Sequence, residues 1–121
     1  MGDYTIWHNP KCSTSRFVLQ ALRDAGVHVT VRDYQKEPPS EAELTDALAV
    51  LGMSPRDLLR RRNTPYDELG LGDPALSDQA LIAAMVAHPV VIERPVVFCP
   101  TGARLCRPKE TVFDLLPGSA G

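Results

Sequence analysis

Apolar and polar positions change period twice within the first 35 residues. Tyr4-Thr5-Ile6-Trp7 is a short β-branched and aromatic run, the make-up of a strand. Beyond it Phe17, Val18, Leu19, Leu22 and Ala25 recur at helical spacing before Gly26, which predicts a helix with a glycine stop. Val27, Val29 and Val31 then alternate with His28, Thr30 and Arg32, the period of a strand with one buried face. Strand, helix and strand make a βαβ unit, whose strands pair in parallel through a right-handed crossover. The turn between the first strand and the first helix therefore opens at the carboxyl end of that strand, the edge at which α/β sheets bind ligands.

Pro38-Pro39 closes this unit, and the pattern becomes helical. Ser40-x-x-Glu43 is a capping box ahead of Leu44, Ala47, Leu48 and Leu51, with Gly52 as the stop. Ser54-Pro55 offers a cap and a first-turn proline for a third helix carrying Leu58, Leu59 and Arg60-Arg61-Arg62 toward Asn63. Residues 64–76 read as irregular, and Ser77 then caps a fourth helix with Leu81, Ile82, Met85 and Val86 on one face, ending near His88-Pro89. Val90-Val91-Ile92 and Val96-Val97-Phe98-Cys99 are continuous apolar runs of the kind buried strands show, separated by Glu93-Arg94-Pro95. Pro100-Thr101-Gly102 is a turn, Ala103 to Cys106 a second hairpin arm, and Arg107-Pro108 the entry to a last helix with Val112, Leu115 and Leu116, stopped by Pro117-Gly118. The order β-α-β, helices, β-β-α predicts a mixed sheet with helices on its faces and a helical insertion in the middle.

A length of 121 residues with 44% hydrophobic side chains suits a single domain with a real core. Three cysteines at wide spacing, Cys12, Cys99 and Cys106, without a CxxC pair, argue against a secreted disulfide framework and for a reducing, cytoplasmic setting. No apolar run is long enough for a membrane span. A formal charge of −2 provides no broad basic footprint for nucleic acid, so local arginine clusters are more informative than the total.

Against that background His8-Asn9-Pro10-Lys11-Cys12-Ser13-Thr14-Ser15-Arg16 holds the candidate chemistry. A cysteine at a strand-to-helix turn lies beside the free N–H groups of the first helical turn, which favour thiolate over thiol. Ser13, Thr14 and Ser15 add hydroxyl donors, Lys11 and Arg16 add positive charge, and His8 would stabilise the thiolate if the loop folds back on itself. Arg60, Arg94 and Arg107 each adjoin a predicted structural boundary, and with Cys12 they suggest a pocket for a small oxyanion, since guanidinium forks match such groups bidentately. Competing site types lack support. His8 and the cysteines do not have metal-ligand spacing, Pro74 breaks the superficial Gly70-x-Gly72-x-x-Ala75 dinucleotide match, and a Cys-His hydrolase needs an orienting third group. His28 reads as a surface histidine, and Cys99 and Cys106 as buried structural thiols.

HNPKCSTSR, SPRDLLRRRNTPYDELGL, HPVVIERPVV and GARLCRP, in that order, resemble the glutaredoxin-linked arsenate reductases of bacteria from Tyr4 to Leu116. The resemblance implies one thioredoxin-like α/β domain over residues 1–121 with its helical insertion at about 40–88. It implies that Cys12 is the nucleophile, that His8 assists its ionisation, and that Arg60, Arg94 and Arg107, with Ser15, surround the substrate oxyanion. No bound cofactor is implied. Ser15 stands where a CxxC motif would have its second cysteine, so glutathione and then glutaredoxin are the implied sources of the resolving thiols, with arsenate as substrate. The alternative is a related thioredoxin-like regulator that binds RNA polymerase, or a reductase-like protein of unknown substrate; the full set of three arginines favours the reductase. The thioredoxin-like resemblance also predicts a cis Arg94-Pro95 bond that turns Arg94 toward Cys12.

Overall fold

A computed structural model of the protein describes residues 3–116. The predicted Pro117-Gly118 stop lies outside the described residues. The chain divides into two compact units, Met1–Glu37 with Arg94–Gly121, and Pro38–Glu93. The second contains the predicted insertion and extends a few residues beyond it at each end.

The first unit carries the sheet. Strands β1 (Asp3–His8), β2 (His28–Asp33), β3 (Val96–Cys99) and β4 (Gly102–Leu105) are ordered β2-β1-β3-β4. β1 and β2 pair in parallel across helix α1 (Ser13–Asp24), whereas β1–β3 and β3–β4 are antiparallel. This is the mixed sheet that the order of apolar runs predicted. Alternation sorts its side chains: Tyr4 and Ile6 face α1, where Val18, Leu19 and Leu22 supply the helical stripe, and Val97 opposite Ile6 joins the same cluster. Trp7 and Phe98 meet on the other face with ring centroids 5.0 Å apart. The predicted buried face of the second strand fades along its length. Val27 is buried, but Val31 is 40% exposed because β2 is an edge strand. His28 is exposed and pairs with Asp3 at 3.2 Å, as a surface histidine does.

The second unit contains α2 (Glu41–Leu51) and α3 (Asp78–Ala87). Ser40 and Glu43 form the predicted capping box, and Gly52 ends α2 with φ 68°, a left-handed conformation open to glycine without steric cost. Ser77 accepts from the Ala80 amide at 3.1 Å to start α3. Leu44, Ala47, Leu48, Leu81 and Met85 are the buried apolar positions of these two helices, and Leu58, Val91 and Ile92 are likewise buried.

Three predicted elements take other forms. The third helix is a single 3-10 turn, Pro55–Leu58, because Leu59 leaves it to bridge Ile92 in antiparallel fashion, with Arg60 N–H donating to Val91 O at 2.7 Å and Glu93 N–H to Leu58 O at 2.8 Å. The arginine run therefore follows the bridge outside any helix, with Arg62 already in a turn, and is not a helix face. The same bridge converts Val90-Val91-Ile92 from a strand into a 3-10 turn, Pro89–Val91, with Ile92 as its bridging residue. The last helix is also 3-10, Lys109–Leu115, held to α1 by an edge-on contact of Phe113 with Phe17. Tight 3-10 turns satisfy the apolar spacing over a few residues without a full α-helical ladder.

Among the described residues no helix is long and apolar enough to cross a membrane. Replacing Ser40 by Ala removes a side-chain acceptor from the first turn of α2. It should destabilise the protein by about 1 kcal/mol, read as a lower urea midpoint at unchanged slope.

Candidate active site

Cys12 is the N-cap of α1, with extended backbone (φ −96°, ψ 121°). The turn that delivers it is built locally. Pro10 presets the backbone, Cys12 N–H donates to Asn9 O at 3.0 Å, and the Asn9 side chain accepts from the Lys11 amide at 3.0 Å. The first helical bond then runs from Arg16 N–H to Cys12 O at 3.0 Å.

Sheet register decides what faces this turn. Trp7 lies opposite Val96, the first residue of β3, in the antiparallel β1–β3 pair, so the segment that enters β3 starts beside the end of β1 that leads into this turn. His8 lies beside Asp33 in the parallel β1–β2 pair, so Tyr34 leaves β2 at the level where the chain turns toward Cys12. The Arg94-Pro95 bond is cis, as expected, and Arg107-Pro108 is cis as well. Arg94 hydrogen-bonds the Cys12 sulfur.

Electrostatics at the thiol follow from this placement. Partial burial works against the thiolate and is the largest single influence. The Ser15 amide, the hydrogen bond and charge of Arg94, and the Thr14 amide together outweigh it and hold the Cys12 thiol below its ordinary value. Lys11 and Arg16 are not among these contributors: the Arg16 guanidinium instead donates to Pro10 O at 2.9 Å.

His8 and Ser15 act differently from the expectation. His8 is the buried last residue of β1, not part of a folded-back loop, and burial, reinforced by Arg23 and Arg16 against the opposing influence of Asp33, holds its pKa below the usual imidazole value. It is thus neutral at neutral pH and supplies no positive charge. Its Nδ1 lies 2.7 Å from Ser15 Oγ, which also accepts from the Asn9 amide at 3.1 Å. A serine hydroxyl can exchange one hydrogen bond with the imidazole while accepting another from an amide, so both contacts are satisfied together. The Ser15 hydroxyl is therefore committed internally, and its backbone N–H is the part that serves the thiol.

Arg94 and Arg107 lie in the sheet-bearing unit. Arg94 is at the thiol. Arg107 donates to Arg94 O at 3.1 Å and lines a cleft of about 310 Å³ with Thr14, Pro108, Lys109 and Glu110. Arg60 belongs to the helical unit, where it pairs with Glu93 at 2.9 Å and donates through Nε to Arg62 O at 3.1 Å. Cys106 is buried as expected, and burial pushes its thiol up to about 12, whereas Cys99 is only half-buried and lies 3.2 Å from Thr101 Oγ1. Tyr34 escaped the sequence reading. Its fully buried phenol hydrogen-bonds the Gln35 side chain and Arg94. The available signal was topological, because a residue just beyond the second strand of a βαβ unit reaches the same sheet edge as the turn after the first. Among the described residues no group of three or more His, Cys, Asp or Glu side chains is placed to hold a metal ion.

Comparison with known proteins gives a consistent picture. The family model described as the ArsC family matches residues 7–115. An arsenate reductase of Rhizobium meliloti (strain 1021) is 52% identical over 113 residues, covering 93% of this chain and 81% of that protein. An arsenate reductase of Escherichia coli (strain K12) is 45% identical over 117 residues, covering 97% and 83% respectively. The solved structure of an arsenate reductase from Vibrio cholerae superposes with a TM-score of 0.89 at 44% identity, covering 94% of this chain and 98% of that one. The fold is the thioredoxin-like one that the resemblance implied.

Two outcomes test this site. Iodoacetamide should alkylate Cys12 with a midpoint below the ordinary thiol value of about 8.5, while Cys106 stays unmodified in the folded protein at neutral pH. A neutral buried His8 binds its proton less readily than in the unfolded chain, so its contribution to stability is intact above the unfolded value of about 6.5 and is lost as pH falls below it. The unfolding midpoint should drop with pH across that range, and His8→Asn should flatten the dependence.

Proposed function

The chain belongs to the ArsC family, and on that premise we propose that it reduces arsenate to arsenite with Cys12 as nucleophile. The observation that carries the proposal is the Arg94 guanidinium hydrogen-bonded to a thiol at the first turn of α1. A cation and two backbone amides that favour the thiolate are also suited to a tetrahedral oxyanion beside it, because both are anions at the same place. Identities of 45–52% to proteins named arsenate reductase, across most of this chain, support arsenate as the anion.

In this reading the Cys12 thiolate attacks arsenic, an arsenate oxygen leaves as water after protonation, and a thiol-arsenate adduct forms. Arg94 neutralises oxygen charge as the bond forms. Arg107 both holds the Arg94 carbonyl and brings a second cation to the same edge, and a role for Arg60 is carried by the family resemblance alone. Arsenic then gains two electrons as two thiols are oxidised to a disulfide. Ser15 replaces a second motif cysteine, and Cys106, with its thiol pushed up to about 12, is a poor attacking group at neutral pH. The reading therefore takes glutathione as the next thiol and glutaredoxin as the partner that releases arsenite and regenerates Cys12. Dependence on these thiols fits a reducing, cytoplasmic setting.

Cys12→Ser should abolish arsenate reduction, whereas Cys99→Ser and Cys106→Ser should keep most of it. Arg94→Ala should lower kcat/KM by about a hundredfold, the scale of losing one oxyanion donor, and Arg60→Ala and Arg107→Ala measure the other two cations in the same assay. Turnover should require both glutathione and glutaredoxin. Equal turnover with thioredoxin alone would reject the external-thiol route, and binding to purified RNA polymerase without arsenate turnover would favour the regulator.

A further inference from the structure

We propose that Tyr34 is a positioning residue that holds the Arg94 guanidinium against the Cys12 sulfur and thereby helps to set how much thiolate the enzyme carries. The inference builds on the Cys12 site of the preceding reading but not on arsenate as its substrate.

Three observations converge on it. Tyr34 is fully buried, although it follows the edge strand β2 directly and its neighbour Gln35 is exposed. A buried phenol needs partners for its oxygen, and here the oxygen contacts the Gln35 side chain and Arg94. A guanidinium has only donors, so the Tyr34 oxygen accepts from Arg94. The parallel register of β1 and β2 sets Tyr34 level with the turn that carries Cys12.

Arg94 is thereby fixed from two directions. Its side chain meets the Tyr34 oxygen, and its carbonyl accepts from Arg107 at 3.1 Å. An arginine side chain has several freely rotating bonds, and holding its planar head in one orientation requires fixed acceptors. The phenol is a neutral acceptor. It orients the guanidinium without cancelling its charge, as a carboxylate in the same position would do. The positive charge stays available to Cys12, and burial of the ring keeps the acceptor in place. Tyr34 thus acts on the thiol through Arg94.

The experiment is the pH dependence of Cys12 alkylation by iodoacetamide in wild type, Tyr34→Phe, Arg94→Ala and the double variant, each first checked for cooperative thermal unfolding. Phenylalanine keeps the ring and removes the acceptor oxygen. The expected result is a higher alkylation midpoint in Tyr34→Phe, with rates below the midpoint about three- to tenfold slower and wild-type rates recovered at high pH. In the Arg94→Ala background the Tyr34 substitution should add nothing, since the route is through the missing guanidinium. A Tyr34→Phe profile that superimposes on wild type, or an equal shift with and without Arg94, would overturn the proposal. If Tyr34→Phe does not fold, Tyr34→Met is read by the same criteria. Alkylation uses no arsenate, so a protein inert toward arsenate that still shows the Tyr34 shift would reject the arsenate reading and keep this inference.

Discussion

The contact between the Arg94 guanidinium and the Cys12 sulfur is the constraint around which the sheet-bearing unit is arranged. Two segments 82 residues apart must meet at one edge, and neither can reach the other through local structure. The central strand β1 solves this. Its parallel partner β2 and its antiparallel partner β3 fix, by register alone, what stands beside the turn that follows it. A one-residue slip of β3 against β1 would carry Arg94 along the strand and turn alternate side chains to the wrong face. Ile6 opposite Val97 opposes such a slip, because both are fully buried members of the same apolar cluster. The core therefore has a functional consequence: apolar packing on one side of the sheet determines where a cation stands at its end.

Around that contact the polar groups are divided between orientation and charge. His8, Ser15 and Asn9 form a neutral hydrogen-bonded set that ties the end of β1 to the first turn of α1. They contribute geometry, since the Ser15 amide serves the thiol only if the helix starts where it does. Arg94 contributes charge. A protonated His8 would have added a second cation, but burial and the neighbouring Arg23 and Arg16 disfavour it. A buried neutral imidazole costs less than a buried cation that has a serine hydroxyl as its nearest partner. This explains why a histidine four residues from the cysteine is a structural tie in the resting protein and not its counter-ion.

Much of this was legible before any coordinates, and the exceptions have a common cause. Periodicity and caps located β1, α1, β2, α2 and α3, because each depends on residues close in sequence: Ser40 with Glu43, Ser77 with Ala80, apolar positions three and four apart. The 3-10 turn at Pro55–Leu58 and the loss of a strand at Val90-Val91-Ile92 come from one long-range bridge between Leu59 and Ile92, which no local pattern contains. At the site, Cys12 and Arg94 were identifiable from their boundary positions. Ser15 was read as a free donor because its hydroxyl partners, His8 and Asn9, become neighbours only when the turn closes. Tyr34, flanked by Asp33 and Gln35, belongs to no local apolar pattern, and its place at the site edge depends on the β1–β2 register.

The balance at Cys12 also explains why the thiol needs several helpers at once. Partial burial is the largest influence on it and opposes ionisation, yet a fully solvated thiol would surrender the low-dielectric setting in which amides and a guanidinium act strongly. The same burial thus raises the cost of the thiolate and increases what each donor returns. Two amides alone belong to any helix start and are available to an unreactive N-cap residue. The arginine is the specific addition, and it is effective only while held in line with the sulfur. Fixing a flexible cation therefore becomes as important as having one, which is why the backbone carbonyl of Arg94 and its guanidinium are both engaged by neighbours within the same unit. A lysine at this position would keep the charge, but its single ammonium lacks the planar fork needed to meet a phenol oxygen and a sulfur from one rigid head.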